Sequence, residues 1–85
     1  MNNYHLEIVA ELKQRRDDVE RNYASARKEW EREKIKKHNL LDAGEYGKEF
    51  DDAVTNCRML FNFMVRLDEE STSIQECIKA IERAC

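Results

Sequence analysis

The chain has 85 residues, 39% of them charged and 41% in the hydrophobic set, with no proline and only two glycines. That is too much apolar content for a disordered chain, and too little Gly, Pro and β-branched sequence for a sandwich or barrel, so it points to one all-α domain spanning residues 1–85. The formal charge of −3 gives no sign of a dedicated nucleic-acid binder; ten basic and eight acidic residues fall in 1–38 and five and ten in 39–85, a complementarity that suits two antiparallel arms.

The first predicted helix runs from about Asn3 to His38. Tyr4, Ile8, Leu12, Val19, Tyr23, Ala26 and Trp30 recur at the spacing of one helical face. Glu11–Arg15, Asp17–Arg21 and Glu33–Lys37 are acid-before-base pairs four residues apart, each expected to add ~0.2–0.5 kcal/mol. Lys36, Lys37 and His38 suit the negative pole of the helix dipole, and Asn39 suits a left-handed cap.

The second helix is expected to start at Asp42. Glu45, three residues on, completes a capping-box pattern, and Leu41 and Tyr46 sit at the positions of a hydrophobic staple. Tyr46, Phe50, Ala53, Val54, Cys57, Leu60, Phe61, Met64 and Leu67 then form an apolar face. Gly47 lies inside this segment at a propensity cost of up to ~1 kcal/mol.

Asp68-Glu69-Glu70-Ser71-Thr72-Ser73 reads as a break. Three acids oppose the dipole at a helix C-terminus, and Ser73 with Glu76, or Thr72 with Gln75, makes a further capping box. A third helix would follow to about Ala84, with Ile74, Cys77, Ile78, Ile81 and Ala84 on one face.

The first helix would be ~54 Å long, and the second and third, at ~40 and ~20 Å, together match it. Folding at 39–42 sets Trp30 and Tyr23 beside Phe50, Val54 and Cys57, and Tyr4, Ile8 and Leu12 beside Ile74, Ile78 and Ile81. It also brings Arg15 and Arg16, which interrupt the first stripe, to Asp68, Glu69 and Glu70. The predicted fold is therefore an elongated antiparallel helical hairpin with a short third helix continuing the second arm; a compact three-helix bundle is the alternative.

Few signals for chemistry emerge. His5, His38, Cys57, Cys77 and Cys85 are far apart, without the short spacings that metal sites use, so no metal or cofactor is expected. Cys57 and Cys77 lie on apolar faces as packing residues, and terminal Cys85 is expected to be exposed. The Asp17-Asp18 and Asp51-Asp52 carboxylates diverge by ~100° on a helix, and no phosphate loop or nucleophile–base pattern appears, so neither an enzyme nor a small-molecule substrate is expected. No apolar run approaches the ~20 residues of a membrane span. The first residues lack the basic-then-apolar pattern of a secretory signal, and three cysteines do not make a disulfide framework, so the expected location is the cytoplasm.

Met59 and Phe63, four residues apart, point away from the stripe centred on Cys57, Leu60, Phe61 and Met64. Either the third helix folds back over them or another chain covers them. Domains this small are marginal without metals, disulfides or oligomerisation. The leading expectation is a non-enzymatic protein-binding module of inhibitor, adaptor or chaperone type, self-associating as a dimer, with Met59 and Phe63 central and Asn56 and Arg66 on the rim. The second expectation is nucleic-acid or nucleoprotein binding through the basic cluster Arg32, Lys34, Lys36, Lys37 and His38.

Overall fold

The computed structural model describes residues 3–84; Met1, Asn2 and the expected exposed Cys85 lie outside them. The described chain is all-α, a two-helix antiparallel hairpin: α1 spans Asn3–Asp42 and α2 spans Lys48–Ala84, of 40 and 37 residues.

Two features of the expected arrangement are corrected. α2 is continuous through Asp68–Ser73, so there is no third helix, and the three-helix bundle falls with it. Ser, Thr and acidic residues there can cap a helix, but nothing in the run forbids helical φ/ψ, as a Pro would. The inward-facing positions continue across it without interruption: Leu67 and Ile74 are buried and Ser71 half-buried. Continuing a helix costs far less than nucleating a new one.

The turn is the second correction. α1 passes the expected stop at Asn39 and ends at Asp42, so Lys36, Lys37 and His38 lie before its last turn, which carries no basic residue. The terminator is Gly44, with φ +71°. Its N–H donates to the Leu41 carbonyl at 3.1 Å and the Glu45 N–H donates to Leu40 at 2.9 Å, the paired bonds of a Schellman cap. Glycine alone enters the left-handed region without a Cβ penalty, so it overrides the Asn39 signal. Asp42 is then the end of α1 rather than the cap of α2. The staple is absent too, with Leu41 and Tyr46 both exposed. Gly47 caps α2: its carbonyl accepts the Asp51 N–H at 3.1 Å. Glu49 and Asp51 complement the dipole in the first turn.

Along both helices the inward-facing positions alternate by three and four residues, the spacing of a coiled-coil seam. The chain divides into two compact units, one of residues 1–23 with 66–85 and one of Ala24–Val65. In the first, Val9, Leu12, Arg16, Val19 and Tyr23 on α1 face Leu67, Ser71, Ile74, Ile78 and Ile81 on α2. Its core is Val9, Val19, Leu67, Ile74 and Ile78, with Leu12, Tyr23 and Ile81 packed against it. Val9 thus takes the buried place expected for Ile8, and Tyr4 is exposed. The expected charge contact forms here: Arg15 pairs with Glu70 rather than Glu11, while Arg16 Nη1 donates to Gln75 Oε1 at 2.8 Å. Arg21 pairs with Asp18 instead of Asp17. Cys77, expected on the packing face, is exposed.

In the second unit, Ala26, Trp30, Glu33, Lys37 and Leu40 on α1 share the seam with Phe50, Ala53, Cys57, Leu60 and Met64 on α2. The side chains buried there are small or flexible: Ala26, Ala53, Cys57 and Met64. Phe61, expected in the core, is 52% exposed, because it sits one residue past the seam position Leu60. Its ring instead lies 6.4 Å from that of Trp30, which also carries Lys34 Nζ 4.9 Å above its face.

Candidate functional site

The Ala24–Val65 unit exposes large apolar side chains among its charged ones. Among the described residues, seven of the nine exposed large hydrophobics belong to it, including Met59 at 64% and Phe63 at 47% exposure. A two-layer helix pair buries only one stripe of each helix, and α2 carries apolar residues on two.

Met59 and Phe63 line one groove. Its walls are Glu29, Arg32 and Glu33 from α1 and Asn56, Met59, Leu60 and Phe63 from α2, and it encloses about 590 Å³. Each wall follows from helical spacing: Glu29, Arg32 and Glu33 stand three and four residues apart, as do Asn56, Met59, Leu60 and Phe63, so each set shares a face. The floor is apolar and one rim is charged.

Of the three charges on that rim, Glu33 is the distinctive one. The side chains of Glu29, Arg32 and Glu33 make no hydrogen bond or ion pair with any described residue; in particular Glu33 does not pair with Lys37 as expected. Glu33 occupies a seam position, and its Oε2 is shielded from solvent with no donor. An unmade hydrogen bond to a shielded polar atom costs about 1–3 kcal/mol, more when it is charged. A second depression, on the other unit, differs in this respect. It is lined by Ile8, Glu11, Leu12, Gln14, Arg15 and Asp18, and there Arg15 is held by Glu70 and Asp18 by Gln14 and Arg21.

Of the expected binding residues, Asn56, Met59 and Phe63 thus come together in the groove, while Arg66 is exposed and belongs to the other unit. The sequence reading missed the α1 wall. Glu29 and Glu33 flank Arg32 at helical spacing, which was the available signal, but the face they share with Met59 depends on the register of the hairpin.

The expected nucleic-acid residues are not gathered. Arg32 lines the groove, Lys34 stacks on Trp30, Lys37 is half-buried in the seam, and Lys36 and His38 are exposed. Among the described residues no cluster of three or more His, Cys, Asp or Glu is placed to hold a metal ion, and no helix is long and apolar enough to cross a membrane.

No family model, curated protein or solved structure matches the chain.

Proposed function

We propose that this chain is a non-enzymatic protein-binding module of inhibitor, adaptor or chaperone type, and that the groove between Glu29–Glu33 and Asn56–Phe63 is its binding face. The supporting observation is the exposure of Met59 and Phe63 side by side on a helix whose other stripe already fills the seam. Large, adaptable apolar side chains beside fixed polar groups are the composition of interface hot spots. The thin core of the Ala24–Val65 unit supports the same reading, since a small helical domain gains stability by covering such a face with another chain. Free thiols at Cys57 and Cys77 support a reducing compartment such as the cytoplasm.

The test is a benzophenone amino acid placed at position 59, irradiated in the source cells. A covalent adduct to a polypeptide, whether this chain or another, is the expected product. Adducts to nucleic acid alone, or none, would contradict the proposal.

A further inference from the structure

Resting on the reading of the groove as a binding face, we infer that its occupant is a second copy of this chain, stacked groove to groove about a two-fold axis. A two-fold interface must be complementary to itself: residue i of one copy meets j of the other, and j meets i. The groove satisfies this in both its apolar and its charged parts. The midpoint between Met59 and Phe63 falls at Phe61 on α2, and the midpoint between Glu29 and Arg32 falls beside Trp30 on α1. The Trp30 and Phe61 rings are in contact, 6.4 Å between centroids, so the two midpoints stand level across the hairpin.

One axis through that level therefore works on both helices at once. It runs α2 antiparallel to α2 of the second copy and sets Met59 of each against Phe63 of the other. It runs α1 antiparallel to α1 and sets Arg32 of each level with Glu29 of the other. Arg32 and Glu29 have no ionic partner within one chain. Arg32 and Glu29, unpaired in one copy, are thus opposed in two, around a central pair of large apolar anchors. Every neighbouring helix in such a stack is antiparallel, a common four-helix arrangement.

The test is sedimentation equilibrium on the full chain and on R32E, E29R and their equimolar mixture, with circular dichroism to confirm unchanged helicity. Both positions are exposed, so the fold should tolerate either change. The wild type is expected to show a monomer–dimer equilibrium. Each single variant alone sets like charges opposite one another twice per dimer, and should dimerise roughly tenfold more weakly. The mixture should recover dimer as a heterodimer, because both facing pairs between positions 29 and 32 then carry opposite charges. A wild type that stays monomeric up to about 1 mM would overturn the inference. So would a dimer whose strength ignores the charge reversals, or a mixture that recovers nothing. A monomeric wild type that still forms adducts from position 59 would leave the protein-binding reading standing and remove only the second copy as occupant.

Discussion

Arg15 and Glu70, fifty-five residues apart, meet through two hydrogen bonds: Arg15 Nε and Nη2 both donate to Glu70 Oε1, at 3.1 and 2.6 Å. This contact marks the register of the antiparallel arms in the terminal unit, next to the Arg16–Gln75 hydrogen bond. Both side chains are more than a third exposed, so the pair is worth only ~0.2–1 kcal/mol. A double-mutant cycle on Arg15→Ala and Glu70→Ala should return a coupling of that size, falling as salt rises. Coupling of zero at low salt would argue for a different register.

Gly44 should be the sensitive glycine and Gly47 the tolerant one. Gly44→Ala places a Cβ at φ +71°, and should destabilise by ~1–2 kcal/mol. An added Cβ at Gly47 meets nothing within 4 Å, and as a helix N-cap that position should gain a few tenths of a kcal/mol from Gly47→Ser. Thermal melts of the two variants check the contrast.

The continuity of α2 is open to hydrogen exchange. Amides of Asp68–Ser73 should be protected to the same degree as those of the preceding and following turns. Fast exchange confined to that run would restore the break.

What the sequence made legible was the antiparallel hairpin itself and one charge contact within it. Arg15 does reach Glu70, as the interruption at Arg15–Arg16 suggests. The apolar pairing differs: Tyr23 packs on the Leu67 cluster instead of beside Phe50, Val54 and Cys57, and Trp30 meets Phe61, because the turn lies at Gly44 and not at 39–42. The helix ends were less legible because capping residues are permissive. Asp42 and Ser73 suit an N-cap, yet each also sits in a helix when a stronger neighbouring signal prevails, here Gly44 or the continuing seam. Phe61 and Cys77 were misplaced for a geometric reason. A stripe read at 3.6 residues is broad enough to include them, while the three-four seam turns on Leu60, Ile74 and Ile78 and leaves both outside. The groove was half legible: the α2 wall shows in the sequence as an apolar pair off the stripe, and the α1 wall requires the register.

Ile78 and Phe61 should separate core from surface. Ile78 is 1% exposed among Val9, Val19, Leu67 and Ile74, so Ile78→Ala should cost ~2–5 kcal/mol, a large share of the stability of so small a chain. Phe61→Ala loses a half-exposed ring and its contact with Trp30, and should cost clearly less. Urea titrations of the two variants measure the difference.

The most direct test of the central claim is sedimentation equilibrium on Met59→Ser/Phe63→Ser, read beside its thermal melt. Both residues are exposed, so helicity and melting of the monomer should be retained. Association should be lost, because the two anchors supply most of the apolar contact. A double mutant that associates as the wild type does, or one that melts early and loses association only by unfolding, would show that Met59 and Phe63 are not a binding face.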